Sequence, residues 1–453
     1  MASFTRKVGE TVDSSFSNLT VIYRKIEEIQ VDPKNPRLHS KRQTQLIADS
    51  ITAFGFNVPF LVDRDLRLIA GHGRLSACKL LDLKLVPTIS LDHLTKTQAR
   101  AFMIADNRLA EIATWDDRVL AEELRSLSEL DLNFSLEATG FEIGEIDMML
   151  EDSAGQSAEG ADSAEQIPNV DTTLQVSEPG DLWLLGDHRL ICGDARDERT
   201  YRSLMDGGQA AAIFTDPPFN DPIDGYVTGF GRHHPEFTMA SGEMTGAEFT
   251  EFLSRVFRHL TCASVSGSLH FICIDWRHIK ELQIATEEIY SDLKNICVWV
   301  KESGGQGSLY RSQHELVFVY KNGPGKHRNN IQPGQFGRSR TNVWTYPRVN
   351  STLEKEQQSP LTRLHPTAKP VALVADAIMD CTARGEIVLD AFVGSGTTLI
   401  AAERVGRVGY AIELDPFYVD LSIRRWQEYT GKAAIQERSM LSFPEVQGKK
   451  YER

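Results

Sequence analysis

Nowhere in the 453 residues does an apolar run approach the roughly 18–20 needed to cross a bilayer, so no membrane partner is expected. The opening Met1-Ala2-Ser3-Phe4-Thr5-Arg6-Lys7 lacks the apolar centre of a secretory signal. Cysteine is sparse: Cys78, Cys192, Cys262, Cys273, Cys297 and Cys381 form no Cys-x-x-Cys pair. That spacing suggests neither a zinc site nor a disulfide framework, so a cytoplasmic protein without a metal is expected. An excess of basic residues is also missing, since the formal net charge is −14. Global acidity argues against a nucleic-acid partner, but the charge is unevenly spread. Residues 151–180 hold seven acidic residues and no Lys or Arg, whereas 301–370 hold eleven Lys/Arg against four Asp/Glu. A DNA-binding surface needs only a local basic face.

What is present is a globular composition, 41% hydrophobic and 25% charged, in a chain long enough for two or three domains. Residues 1–19 are polar and unpatterned, an expected loose arm. From Val21 to Ile89 short apolar strands alternate with helical spacing at 43–54 and 75–81. Helices are expected over 97–109, 117–130 and 143–150, closing a module at 20–150, with Trp115 as a packing anchor. The Ser-, Ala-, Gly- and acid-rich stretch 151–179 reads as a flexible linker. A second domain spans 180–440, followed by a charged tail at 441–453 that reads as loose. Inside it, 321–363 loses all periodicity and gathers Gly, Asn, Arg and Lys, the pattern of a long functional loop.

Two stretches of the second domain carry chemistry. Ala210–Phe214 reads as a short buried strand ending in Thr215-Asp216-Pro217-Pro218-Phe219-Asn220. Two prolines there can continue neither strand nor helix, so they fix a rigid turn. A ring-bound amine could donate to Asp216 and the Pro217 carbonyl while stacking on Phe219. Far downstream, Ile387–Thr398 reads as strand, Gly394-Ser395-Gly396 turn and helix, with Glu413 ending the next strand. Such a turn lets backbone approach a ligand, and an acid 23 residues beyond Asp390 can accept ribose hydroxyls. A NAD enzyme would share these features, although the third glycine of its usual turn is absent. Alternating β and α segments around both stretches mean a mainly parallel, doubly wound α/β sheet.

Together these stretches resemble the Rossmann-like DNA amino-methyltransferases, in the permuted order with Asp-Pro-Pro-aromatic before the Gly loop. The resemblance implies S-adenosylmethionine as cofactor and double-stranded DNA as partner, with homodimerisation left open. It implies that Phe392, Gly394 and Gly396 wrap the methionine part with Thr397 or Thr398 assisting, that Ser395 is a further cofactor-binding residue, that Asp390 faces the ammonium and that Glu413 takes the ribose. His365, Thr367, Lys369 and Pro370 match a His-Pro-x-x-Lys-Pro motif expected to close over the methionine carboxylate, and Asp194 matches an acid that reaches the adenine. Asp216, Pro217, Pro218 and Phe219 are then catalytic, acting on a base flipped from the duplex. Asp in first position resembles the adenine-N6 enzymes more than the cytosine-N4 enzymes, and Phe219 stands where Tyr is usual. Lys326, Arg328, Arg338 and Arg340 are the candidate DNA contacts.

Residues 21–108 resemble the ParB-like N-terminal domain, through Asn35-Pro36-Arg37, the helix end at Phe54-Gly55, and Gly71-His72-Gly73-Arg74-Leu75-Ser76-Ala77. Of that family's phosphate-handling Gly-Glu-Arg-Arg box, Gly71 and Arg74 match. The expected architecture is therefore a Rossmann-like methyltransferase sheet with helices on both faces, plus a smaller α+β ParB-like domain. The rival readings are cytosine-N4 transfer, a protein or RNA methyltransferase, and a ParB-like DNA-binding regulator whose methyltransferase half is inactive.

Overall fold

The computed structural model describes residues 19–31, 36–128, 130, 132–155, 163–166, 168, 175–220, 242–302, 304, 309–331, 340–347 and 368–451. The chain divides into two compact units, Met1–Ser153 and Ala154–Arg453.

The first unit runs β1 (Val21–Lys25), α1 (Lys41–Phe54), β2 (Phe60–Val62), β3 (Leu68–Ala70), α2 (His72–Leu80), β4 (Leu85–Ser90), α3 (Lys96–Ile112), α4 (Asp117–Ser128) and α5 (Ile143–Gly155). Its four strands form one sheet in the order β1-β4-β2-β3. Ser40 caps α1 by accepting from the Gln43 amide, and Thr95 and Gln98 form a reciprocal capping box on α3. These caps satisfy first-turn donors that the helix itself leaves unpaired. Trp115 packs edge-on to Phe141 at 5.6 Å between ring centroids, yet is 69% exposed, so it anchors less than its size suggests.

The second unit contains β5 (Leu182–Leu185), β6 (His188–Cys192), α6 (Glu198–Met205), β7 (Ala210–Thr215), α7 (Gly246–Cys262), β8 (Ser264–Ile274), α8 (Ile279–Thr286), β9 (Asp292–Val300), β10 (His314–Lys321), β11 (Val343–Thr345), α9 (Val371–Met379), β12 (Ile387–Asp390), α10 (Thr397–Arg404), β13 (Val408–Glu413), α11 (Pro416–Thr430), β14 (Ile435–Gln436), β15 (Leu441–Ser442) and α12 (Phe443–Tyr451). Its sheet has the order β11-β9-β10-β8-β7-β12-β13-β6-β5-β14-β15. The central strands β8, β7, β12, β13 and β6 are parallel, and β10 runs antiparallel between β8 and β9. Apolar side chains cover both faces: α9, α10 and α11 supply one core, and α6, α7 and α8 the other. Burial on both sides explains why these strands are near-continuous apolar runs. The unit is a Rossmann-like doubly wound sheet.

Neighbouring β7 and β12 bring the two sequence motifs together. Residues more than 170 positions apart in sequence leave the sheet side by side at its carboxyl edge, where open α/β sheets place ligands. Thr215 Oγ1 donates to Asp390 Oδ1 at 3.0 Å, stitching the two strand ends together.

Two sequence expectations fail here. Within the stretch read as a linker, the described residues pack against the second unit's own helices. Ala164 and Val176 are buried, Arg425 donates to the Ala164 carbonyl at 2.8 Å, and Asp420 accepts from the Val176 and Ser177 amides at 2.6 and 2.9 Å. Small side chains and backbone amides bound by buried charged groups leave no mark in a composition count. The tail read as loose is α12. Phe443 sits against Trp183 at 5.2 Å, and Lys450 and Tyr451 donate to the Val176 and Gln175 carbonyls. A single apolar anchor with long snorkelling side chains is enough to dock so charged a segment.

Candidate active site

A pocket of about 140 Å³ opens where β6, β7, β12 and β13 end, and it gathers both motifs. Gly193, Ala195, Asp216, Pro217, Pro218, Phe219, Lys369, Asp390, Phe392, Gly394, Ser395, Thr397, Thr398, Glu413 and Tyr418 all contribute to its wall. The Asp-Pro-Pro-Phe turn is held from behind by Asn220, at a φ of +55°. Its side chain accepts from the Gly242 and Met244 amides, both at 3.1 Å, and donates to the Met244 carbonyl at 2.8 Å. Asn tolerates this left-handed conformation better than most residues, which makes Asn220 a positioning residue that motif spacing alone does not disclose.

Asp216 is asymmetric. Its Oδ2 accepts a hydrogen bond from Lys369 Nζ, while its Oδ1 is buried and has no partner among the described residues. Burial pushes the carboxyl up to about 6, against the opposing pull of Lys369. Lys369 also stands 2.7 Å from Glu315 Oε1, and Lys301 Nζ donates to Glu315 Oε2 at 2.9 Å. Burial opposes the Lys369 charge, but Asp216 and Glu315 hold its pKa well above the usual lysine value. Burial would raise Glu315, yet Lys369 and Lys301 keep it below the usual carboxylate range. The ligand atoms of Asp216, Cys273 and Glu315 converge within 4.8 Å, and the Lys369 ammonium supplies the cation between the two carboxylates.

The Gly loop is set by two left-handed glycines, Gly394 at φ +53° and Gly396 at φ +85°. Ser422 Oγ donates to the Gly394 carbonyl at 2.8 Å, and Arg425 donates to the Ser395 carbonyl at 3.0 Å, so the turn is fixed from beneath. Glu413 Oε2 accepts from the Gly394 amide at 2.9 Å, and Oε1 from the Asp415 amide at 2.9 Å. Burial still pushes Glu413 up to about 7. These residues fit S-adenosylmethionine. Glu413 offers a carboxylate for a cis-diol, Phe392 and Tyr418 offer apolar walls, and Asp216, whose buried Oδ1 has no partner among the described residues, lines the same pocket.

Several expected roles shift. Asp390 accepts from Thr215, from Thr398 Oγ1 at 2.6 Å and from the Phe392 amide at 3.0 Å, and is pushed up to about 6 by burial. It lines the pocket, but its oxygens bind the strand ends together. Asp194 does not line the pocket. It accepts from the Arg196 amide at 2.8 Å and pairs with that guanidinium at 2.7 Å, leaving the wall to Gly193 and Ala195. Of the Lys-Pro motif, Lys369 turns onto Asp216 and Pro370 begins α9 outside the pocket wall. His365, Thr367 and Arg338 lie outside the described residues.

The candidate DNA contacts also divide. Arg340 is a structural ion pair, 2.5 Å from Asp376 and 3.0 Å from Asp380, with its guanidinium 5.3 Å above the Trp344 ring. Arg328 lies 3.4 Å from Glu386. Lys326 is exposed. Sequence spacing could not reveal that the acids holding Arg340 come from α9 and the residue after it. In the first unit, Arg37, His39, Gly71, Arg74, Asp106 and Asn107 line a separate pocket of about 170 Å³, so the Gly71–Arg74 loop does face a cavity.

The fold and site define an amino-methylase of the Asp-Pro-Pro-aromatic type. Residues 210–424 match the family model described as DNA methylase, and 118–179 match the ParB-methyltransferase HTH domain. The second unit thus carries a DNA methylase domain of the N6/N4 family, fused to a ParB-like module. It is 26% identical over 268 residues to the Type II methyltransferase M.HpaI of Haemophilus parainfluenzae, covering 56% of this chain and 78% of that one. Over 80 residues it is 39% identical to the ParB-like nuclease domain-containing protein YnaK of Escherichia coli K12, covering 18% of this chain and 92% of that one. Among solved structures, the cytosine-N4-specific PvuII DNA methyltransferase matches at 14% identity and a TM-score of 0.41, over 57% of this chain and 91% of that one. No helix among the described residues is long and apolar enough to cross a membrane.

Proposed function

We propose that this protein transfers a methyl group from S-adenosylmethionine to the exocyclic N6 of adenine in duplex DNA. The observation that carries the reading is the asymmetric Asp216 carboxylate: Oδ2 clamped by Lys369, Oδ1 unpaired among the described residues, at the head of a rigid Pro-Pro turn that lines the pocket. When bound, S-adenosylmethionine supplies an electrophilic methyl on sulfur. The chain supplies the rest by position and charge.

An exocyclic amine is a poor nucleophile because its lone pair is conjugated with the ring. On this reading the Asp216 carboxylate and the Pro217 carbonyl accept its two hydrogens, which localises that pair for in-line attack. Phe219 offers a stacking face, and Lys369 Nζ sits 5.6 Å from its ring centroid, keeping positive charge beside the base platform. A base within a duplex cannot reach this pocket, so it must leave the stack. Adenine and cytosine both carry such an amine, and Asp in the first motif position supports adenine.

Treated duplex DNA, digested to nucleosides and weighed, tests the assignment. N6-methyladenine is the expected product. N4-methylcytosine would overturn the base assignment, and unmodified nucleosides would overturn DNA as the substrate.

A further inference from the structure

Four charged side chains form a row leading out of the pocket: Asp216, Lys369, Glu315 and Lys301. Lys369 Nζ binds Asp216 Oδ2 on the pocket side and lies 2.7 Å from Glu315 Oε1 on the other. Glu315 Oε2 accepts from Lys301 Nζ at 2.9 Å. The inner pair is buried, Lys369 at 5% and Glu315 at 7% exposure, whereas the Lys301 side chain is 20% exposed. Among the described residues, Asp390 and Cys273 are the other titratable groups facing Asp216; both are buried, and the cation acting on each is again Lys369. One ammonium therefore serves two carboxylates, and only one of those carboxylates reaches the substrate space.

That arrangement suits an aspartate that must change charge during turnover. As the amine's lone pair forms the N–CH3 bond, the C–S bond breaks and its electron pair passes to sulfur. The nitrogen then holds one proton too many, and the Asp216 carboxylate, with Oδ1 unpaired among the described residues, takes it up. A lysine paired with Asp216 alone would at that moment become an unpaired buried cation, which is strongly unfavourable. Glu315 removes that obstacle, because Lys369 keeps one carboxylate whichever state Asp216 is in. Release of the proton from Asp216 to water restores the row.

We propose that Glu315 is a positioning residue for methyl transfer, holding Lys369 as a shared ammonium so that Asp216 meets the amine ionised and can then take up its proton. Glu315 lies outside the pocket wall, so this role deepens the amino-methylation reading and rests on it.

Two substitutions move Asp216 in opposite directions. Glu315→Gln removes a like charge and leaves the ammonium to Asp216 alone, so the Asp216 titration moves to lower pH by about one pH unit. Lys301→Gln removes the outer cation, Glu315 draws more strongly on Lys369, and the Asp216 titration moves to higher pH. The readout in the full chain without ligand is the 13C carboxyl resonance that disappears in Asp216→Asn. The second readout is the acid limb of the methyl-transfer rate, which follows the same two directions. In Glu315→Gln the maximal rate also falls about tenfold, as a weaker base requires.

Displacement in the same direction, or in neither variant, overturns the inference, because a merely structural role moves no titration. If Glu315→Gln loses cooperative unfolding, the upward move in Lys301→Gln decides alone. A wild-type protein that methylates DNA without the opposite displacements overturns only this inference. A wild-type protein that shows them and transfers no methyl overturns the amino-methylation reading, and the positioning role with it.

Discussion

Asp216 and Lys369 lie 153 residues apart in sequence and share a hydrogen bond at the floor of one pocket, which spends one carboxylate oxygen on the protein and leaves the other open. Burial alone would favour a neutral acid there, and the ammonium offsets part of that penalty, leaving the group at about 6. Amine activation needs the ionised form. The rate of methyl transfer should therefore hold above pH 6 and fall tenfold per pH unit well below it, as measured under single-turnover conditions.

Replacing Asp216 by Asn keeps the shape and removes the charge. One amide hydrogen would then face the amine instead of an acceptor. Methyl transfer should drop by about 10³-fold, the scale seen when an electrostatic group is removed from a reacting centre. Cofactor affinity, measured by calorimetry, should stay within about twofold, because Asp216 acts on the methyl acceptor and not on the nucleoside.

Glu413→Gln tests the other end of the pocket. Losing a charged acceptor for the ribose hydroxyls should weaken S-adenosylmethionine binding by about ten- to a hundredfold. The buried carboxyl stands at about 7, and diol binding favours its ionised form. Wild-type affinity should thus decline as pH falls through about 7, and that dependence should vanish in Glu413→Gln.

Gly396→Ala places a Cβ where φ is +85° and where Ser422 Oγ would lie 3.0 Å away. The left-handed strain alone costs about 1–2 kcal/mol. A lowered melting temperature with weakened cofactor binding is expected, since Ser422 also fixes the Gly394 carbonyl.

Arg340 separates scaffold from DNA contact. Arg340→Ala removes the guanidinium from Asp376 and Asp380, and breaking such a buried pair costs about 3–5 kcal/mol. Chemical denaturation should show that loss. Lys326→Ala, on an exposed side chain, should leave stability unchanged.

How far the sequence reached can be read from the same residues. The Asp-Pro-Pro-Phe turn, the Gly394–Gly396 loop and Glu413 were visible because each follows an apolar strand and breaks its pattern, and the sheet brings all three to one edge. Glu315 was hidden inside the apolar run of β10, where a buried acid with two cationic partners looks like a strand residue. Lys369 was seen, but its partner was not: the sequence places it in a motif, and only the packing of α9 against β7 brings it to Asp216. Asp194 and Arg340 each hold a charge pair that the sequence does not show, with Arg196 for one and with Asp376 of α9 and the adjoining Asp380 for the other.

The most direct test of the account is transfer of labelled methyl from S-adenosylmethionine to mixed-sequence duplex DNA by the wild-type chain and by Asp216→Ala. The wild type should place label in the DNA, and Asp216→Ala should place none while still binding the cofactor. Equal labelling by the two proteins, or wild-type label appearing only in RNA or protein, would contradict it.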